Sequence, residues 1–135
     1  MDSPNVYSLT ASVTAAGTVV SEWITGLEGM LALAASIQFA YGSGGSSCRV
    51  YLQTSFDSGA TAQDVACAAF ATAAATKQFN LSALTPVILP VASPTDGTMP
   101  DNTAQDGILG PRYRLKIIST GTYAGTQVTA RLNAR

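Results

Sequence analysis

The segment from Leu31 to Tyr41 constrains the fold of this chain more than any other. Its even positions carry alanine, serine and glutamine, whereas its odd positions carry Leu31, Leu33, Ala35, Ile37, Phe39 and Tyr41. This alternation has a period of two, which indicates a β-strand with one buried face, because a helix would repeat every 3.6 residues. The glycine-rich stretch 42–46 that follows predicts a flexible turn.

The same alternation predicts a hairpin between Cys48–Phe56 and Thr61–Ala69. Asp57-Ser58-Gly59 lies between them and has the composition of a tight turn. The pairs predicted for this hairpin are Val50 with Cys67 and Leu52 with Val65. A turn shifted by one residue would instead oppose Cys48 to Cys67. Whether these two cysteines form a disulfide stays open, and buried free thiols are the expectation for a protein made in a cytoplasm.

A second hairpin is predicted at the C-terminus, where Arg112–Ser119 and Thr126–Leu132 flank the turn 121–125. The expected pairs are Ile117 with Val128, Leu115 with Ala130 and Tyr113 with Leu132. In this register Arg114 lies opposite Arg131. Like charges that face each other across two strands are unfavourable unless an anionic group satisfies them.

The remaining segments complete the prediction of an all-β fold. Strands are expected at Val6–Val13 and Thr18–Trp23, an edge strand is expected at Thr85–Pro90, and residues 92–111 form a long loop. The alanine-rich segment 66–76 fits either a strand or a short helix. Many short strands with glycine and proline turns predict an antiparallel β-sandwich or barrel. The 135 residues fit a single domain spanning 1–135, with residues 1–5 as an extended N-terminal arm.

Composition excludes several classes of function. The chain contains no histidine, which argues against the usual zinc sites and against histidine-based catalysis. Neither a signal peptide nor an apolar segment long enough to span a bilayer is evident, so we expect a protein made in a cytoplasm with no membrane partner. Only 11% of the residues are charged, and a surface with so little charge suits a protein that partners cover. The sequence therefore predicts a non-enzymatic protein without cofactor or metal.

The few charges are unevenly distributed along the chain. All eight acidic residues lie at or before Asp106, whereas five of the seven basic residues follow it: Arg112, Arg114, Lys116, Arg131 and Arg135. Two interpretations stay open: the basic residues bind an acidic partner surface, or acidic residues of the N-terminal strands neutralise them within the fold. The formal net charge of −1 argues against a nucleic-acid partner.

Acidic and aromatic side chains are further candidates for a functional site. Asp96, Asp101, Asn102 and Asp106 are oxygen-rich but lack the spacing of an EF-hand, so turn formation is the expectation. Asp57 and Asp64 have no sign of the tuned environment that a glycosidase acid requires, so we expect solvated carboxylates. Trp23 is expected in the core or at a hairpin end, with sugar binding as the alternative.

The segment from Tyr51 to Cys67 resembles a pattern in small virion proteins encoded by tailed bacteriophages and prophages. So does the stretch from Leu109 to Lys116, followed by Ser119–Thr126, and the resemblance extends from about Trp23 to the C-terminus. In such proteins a tryptophan is expected near position 62, where this chain has Ala62. The matching residues define turns, not an active site.

The resemblance implies a jelly-roll capsid decoration, or cement, protein. Such proteins bind the outside of an icosahedral shell, as symmetric oligomers that bridge neighbouring capsid subunits. The expected partners are the major capsid protein and further copies of this chain, and the expected location is the capsid surface of the virion. The alternative is a carbohydrate-binding or adaptor module of a phage tail, baseplate or neck fibre, with these aromatic candidates: Trp23, Tyr41, Tyr51, Tyr113 and Tyr123.

Overall fold

The computed structural model describes residues 5–86, 91 and 93–135, and all of their regular secondary structure is β-strand. The strands are β1 Asn5–Val13, β2 Gly17–Val20, β3 Ala32–Ala40, β4 Ser43–Gly44, β5 Ser47–Thr54, β6 Gln63–Phe70, β7 Ala75–Ser82, β8 Thr103–Ala104, β9 Tyr113–Thr120, β10 Tyr123–Ala124 and β11 Thr126–Ala134. No helix able to span a membrane occurs in this part of the chain.

The strands form two packed antiparallel sheets. Sheet A has the order β1-β11-β3-β7, sheet B has the order β2-β9-β5-β6-β8, and the short strands β4 and β10 pair with each other. Without the three two-residue strands, eight strands remain in two four-stranded sheets, in the strand order of a jelly roll. The predicted antiparallel β-sandwich is confirmed.

The two ends of the sandwich differ in the length of their connections. One end, which we call the tight-turn end, carries the short connections, at residues 14–16, 41–46, 71–74 and 121–125. The opposite end, the long-loop end, carries the long connections, at residues 21–31, 55–62 and 83–112. This division follows from the registers, since Val13 pairs with Thr126 and Ala40 pairs with Gln127.

The core lies between the sheets and follows the predicted alternation. In β3, Leu33, Ala35, Ile37 and Phe39 are buried, so the prediction from the period of two is confirmed there. Phe39 stacks on Phe70 with ring centroids 4.9 Å apart, which joins the two sheets. Leu31, at the outer end of the pattern, is 54% exposed.

The predicted C-terminal hairpin does not form. β9 lies in sheet B between β2 and β5, whereas β11 lies in sheet A between β1 and β3. Ile117 consequently pairs with Val50 and Val128 pairs with Phe39, and Arg114 and Arg131 belong to different sheets. Alternation indicates which residues face inward, and both arrangements bury the same residues. It does not indicate whether the turn folds a strand back within one sheet or carries it across to the other.

The hairpin of β5 and β6 forms, but its predicted register is wrong. Val50 pairs with Ala68 instead of Cys67, and a bulge lies between Leu52 and Gln53. The predicted tight turn at Ser58-Gly59 is confirmed, with φ values of 61° and 90°, but it lies within a longer loop. The bulge and the extra loop residues together change the register. Phe56, predicted to continue the apolar face, is 60% exposed.

The other segments were predicted with mixed success. The ambiguous segment 66–76 contains the end of β6 and the start of β7, without a helix. The strands predicted at Val6–Val13 and Thr18–Trp23 are confirmed as β1 and β2, although β2 ends at Val20. Most of the predicted edge strand Thr85–Pro90 and of the arm 1–5 lies outside the described residues, and Thr85 and Pro86 belong to no strand.

Candidate functional site

The five basic residues singled out in the sequence lie on two different faces. Arg112, Arg114 and Lys116 follow the outer face of sheet B, where they are half-buried, whereas Arg131 is exposed on the outer face of sheet A. Arg135 is exposed where β11 ends, and its backbone bonds to Leu31 and Ala32. The five residues therefore do not share one surface, and the predicted placement of Arg114 opposite Arg131 is wrong.

The basic residues of sheet B belong to a polar network centred on Gln53. The Gln53 Oε1 atom accepts a hydrogen bond from Arg114 Nε at 2.9 Å, and its Nε2 donates to Asp64 Oδ1 at 2.9 Å and to Asp96 Oδ1 at 2.7 Å. Lys116 Nζ forms an ion pair with Asp96 Oδ1 at 2.9 Å. The Lys116 ammonium and the Gln53 amide lower the pKa of Asp96. The cation of Lys116 is thus neutralised by a residue of the long loop and not by the N-terminal strands.

Arg112 and Arg114 form the part of sheet B that retains unpaired positive charge. The Arg114 guanidinium lies 4.6 Å from the ring centre of Trp23, a cation–π contact, and Arg112 Nη1 donates to the Ser58 carbonyl. In the part of the chain that the structure describes, neither Arg112 nor Arg114 has a carboxylate within ion-pair distance. Trp23 also contacts Gly59, so it lies beside the β5–β6 turn, half-buried, as a hairpin-end residue would.

Asp64 is buried, so the expectation that it is solvated is wrong. Its carboxylate accepts hydrogen bonds from Gln53 Nε2, from Thr95 Oγ1 and from the backbone amides of three consecutive residues, Gly97, Thr98 and Met99. Its own amide donates to the Thr95 carbonyl. A buried carboxylate requires such donors, because without them its desolvation would be costly. Asp64 therefore fixes the loop 95–99 on the outer face of sheet B.

Asp57 is exposed and organises its own turn. It accepts hydrogen bonds from Ser55 Oγ and from the amide and hydroxyl of Thr61, at 2.6–2.8 Å. The Thr61 bonds lower the pKa of Asp57 to about 2. Asp57 and Asp64 share no hydrogen-bond partner among the described residues, so no contact couples the two carboxylates.

The oxygen-rich loop residues bond to the protein itself. Asn102, at a φ of 56°, accepts from the Ala69 amide and from Lys77 Nζ, and Asp106 accepts from the amides of Ser82 and Gly107. The positive φ of Asn102 and the bond from Gly107 to Asp106 agree with the turn-forming expectation, whereas the bonds from Ala69, Lys77 and Ser82 join distant parts of the chain. Asp101 instead pairs with a cation, Arg49, at 2.6 Å. In residues 5–86, 91 and 93–135, no three histidine, cysteine or acidic side chains lie close enough to hold a metal ion.

The two cysteines are free and occupy opposite sides of sheet B. Cys48 faces the core opposite Phe70, whereas Cys67 faces the outer side between its strand partners Tyr51 and Thr103. The register with Cys48 opposite Cys67 therefore does not occur. Burial raises the pKa of Cys48 to about 11, and burial also raises the pKa of Cys67, so both thiols are protonated and unreactive at neutral pH.

Three of the five aromatic candidates for carbohydrate binding are buried. Tyr51, Tyr113 and Tyr123 are at most 3% exposed, and burial raises the pKa of Tyr51 to about 12. Trp23 and Tyr41 are half-buried, and they lie at opposite ends of the sandwich. An exposed groove lined by all five aromatics is therefore absent.

Tyr123 joins the four turns of the tight-turn end. Its amide donates to the Thr14 carbonyl, its hydroxyl donates to the Ala71 carbonyl at 2.7 Å, and its backbone pairs with Gly44. The ring packs on Gly45, where a Cβ atom would lie 2.2 Å from ring carbon Cζ. The four turns contain no charged residue and are largely exposed. Sequence reasoning missed this arrangement, for which the glycine pair at 44–45 is the available signal.

Comparisons with known proteins do not identify a family. No model of a protein family matches the chain, and no curated protein matches it significantly.

Proposed function

We propose that this protein is a non-enzymatic structural protein of a phage virion, a capsid decoration or cement protein. It binds the outer surface of the major capsid shell and bridges neighbouring capsid subunits, as a homo-oligomer. The assignment to a virion is supported by the sequence resemblance of Tyr51–Cys67 and Leu109–Lys116. The physical argument for a decorating role comes from the distribution of charge on the surface.

The observation that carries the proposal is how little charge the surface offers to solvent. Of the few charged residues, Asp64 is buried, and Asp96, Lys116, Arg49 and Asp101 are engaged with one another or with neighbouring polar groups. Much of the remaining surface consists of alanine, glycine, serine and threonine, and so does the tight-turn end apart from Tyr41 and the buried Tyr123. A surface with this composition is poorly protected against association, and it is suited to being covered by a partner.

The basic residues that remain lie on two faces, which suits a bridging protein. Arg112 and Arg114 lie on the outer face of sheet B, and Arg131 lies on that of sheet A. One copy can therefore contact acidic surfaces on two neighbours at once, and many weak contacts on a shell add up through avidity. Lys116 is neutralised by Asp96 and contributes less than the others.

The proposal is tested by cosedimentation of the purified chain with shells assembled from the major capsid protein of the same genome. We expect saturable binding that weakens with salt, and a loss of at least about tenfold in affinity for Arg112→Glu and for Arg131→Glu, about 1.4 kcal/mol for each tenfold. Leu84→Glu is the control, because it adds an acidic group at an exposed position of the connection 83–112, outside the strands of both sheets.

Absence of cosedimentation by the wild-type chain would contradict the decorating role. Recovery of the chain with tails separated from capsids would instead support the second candidate, an adaptor module of the tail. The sugar-binding version of that candidate has less support, because three of its five aromatic residues are buried.

A further inference from the structure

The two long sides of the sandwich are closed differently. On the side of β7, Lys77 occupies an inward-facing position opposite Ile37. Its ammonium group donates to the Ala69 carbonyl in sheet B and to Asn102 Oδ1, and it lies 5.2 Å from the Phe70 ring centre. An inward-pointing lysine on an edge strand is one of the devices that prevent pairing with another sheet. This side is therefore closed by the chain itself.

The opposite side, between the edges β1 and β2, has no such closure among the described residues. Tyr7, Leu9 and Ala11 of β1 lie opposite Leu132, Ala130 and Val128, which are all fully buried, yet they are only half-buried themselves. In β2, Val19 lies opposite the buried Ile117 and is 40% exposed. The side chains that face the core at this edge thus form a partly open apolar seam: Tyr7, Leu9, Ala11 and Val19.

Among the described residues, the β1 edge from Tyr7 to Val13 also lacks the usual protection against pairing. Residues 3–21 contain no Asp, Glu, Lys or Arg, and no proline interrupts β1. Natural edge strands are usually short, charged or covered, because their outward amides and carbonyls can pair with another strand. Of the four sheet edges, β2 and β8 are short and β7 carries Lys77, whereas β1 has nine residues.

We propose that a second copy of this chain pairs with β1 antiparallel, about a two-fold axis within Ser8–Thr10. Such pairing joins two copies of sheet A into one eight-stranded sheet and brings the two apolar seams together. Every register whose axis passes through one of these three residues sets odd positions beside odd positions, so Leu9 and its neighbours remain on the buried face. The interface is isologous, and no like charges meet across it because the strand is uncharged. The pairing uses only residues Tyr7–Val13 of each copy.

Sedimentation of the purified chain alone tests the interface, so its outcome is independent of the shell-binding assay. Two double variants change outward-facing, exposed residues of β1: Ser8→Lys with Thr10→Lys, and Ser8→Glu with Thr10→Glu. In each proposed register the introduced charges of one copy lie opposite or diagonal to those of the other. The matched control is Thr76→Lys with Asn80→Lys, which adds the same charge to exposed positions of β7.

We expect the wild-type chain and the control to sediment as dimers and each β1 variant alone to sediment as a monomer. A one-to-one mixture of the lysine and glutamate variants should recover a dimer, which also shows that both variants are folded. In the wild type, amide exchange at Tyr7–Val13 should slow as the protein concentration rises.

Three results would overturn the proposed interface. They are a wild-type chain that stays monomeric at about 1 mM, an oligomer that persists in both β1 variants, and amide exchange in β1 that does not depend on concentration. The first of these would exclude self-pairing at the β1 edge even if the chain binds to shells.

Discussion

Replacing Asp64 by asparagine removes the charge of a buried carboxylate without changing its shape. In the folded protein the two carboxylate oxygens face donors only: Gln53 Nε2, the Thr95 hydroxyl and the amides of residues 97–99. An asparagine must point its NH₂ group at some of these donors. Gln53 cannot turn its amide to compensate without losing its bonds to Asp96 and Arg114.

The expected cost follows from the bonds that are lost. A hydrogen bond to a charged group contributes about 1.5–3 kcal/mol, and stranding a buried donor costs a similar amount. Because one asparagine oxygen still accepts, we expect Asp64→Asn to lower the free energy of unfolding by about 3 kcal/mol. For a chain of this length that corresponds to a decrease in Tm of about 10 °C. Typical stabilities of 5–15 kcal/mol leave the variant folded.

Urea unfolding followed by Trp23 fluorescence measures the change, and amide exchange at Gly97 and Thr98 locates it. We expect exchange at these amides to accelerate in Asp64→Asn, because the carboxylate that protects them is gone. Asp101→Asn is the control, since it removes an acid whose ion pair with Arg49 is exposed to solvent and contributes little. An Asp64→Asn stability within about 1 kcal/mol of wild type would refute the view that this carboxylate holds the loop.

Two further perturbations test the packing of the sandwich. Tyr123→Phe removes the bond to the Ala71 carbonyl and should lower the free energy of unfolding by about 1 kcal/mol in urea melts. Gly45→Ala should lower the free energy of unfolding further, because its Cβ atom would overlap the Tyr123 ring and its φ is +71°. Since burial raises the pKa of Cys48 from 9.0 to about 11, the folded state disfavours the thiolate, so stability should be constant below pH 9 and fall as the pH rises towards 11. Cys48→Ala should weaken that decline. Urea melts at pH 8, 10 and 11 would contradict this if the free energy of unfolding fell equally with pH in the variant and in the wild type.

Much of the fold was predictable because alternation reports directly on burial. The inward row of β3 was assigned correctly, and so were the positions of most strands. The pairing of strands was less predictable, because turn 121–125 is short enough for a hairpin yet crosses between sheets. The register of β5 and β6 depends on a bulge at Leu52/Gln53, which no local pattern marks.

The polar site could not be predicted, because it depends on a distant loop. Gln53 and Asp64 occupy outward positions on their strands, where a sequence predicts solvent. The loop 95–99 covers that face and converts both residues into buried partners for its own amides and for Asp96. Covering of the outer face also explains why Tyr51 to Ser55 are buried without alternation. The local signal for this covering is weak, because Tyr51 to Ser55 alternate as an ordinary strand would and differ only in carrying no charge.

Because the long loop covers part of the outer face of sheet B, the distribution of charge on the surface differs from its distribution along the sequence. The sequence concentrates positive charge after Asp106, but Asp96 of the long loop pairs with Lys116, so part of the asymmetry is cancelled inside the fold, and Asp101 pairs with Arg49. What remains outside an ion pair, among the described residues, is a few charged side chains on separate faces, including the exposed Glu22, Glu28, Asp57 and Arg131, and a large uncharged surface. Long-range electrostatic steering is weak for such a surface, because only a few exposed charges act across a screening distance of about 8 Å. We therefore expect the proposed association to depend on short-range contacts, which are those of the arginines, backbone pairing at the β1 edge and repetition over many copies.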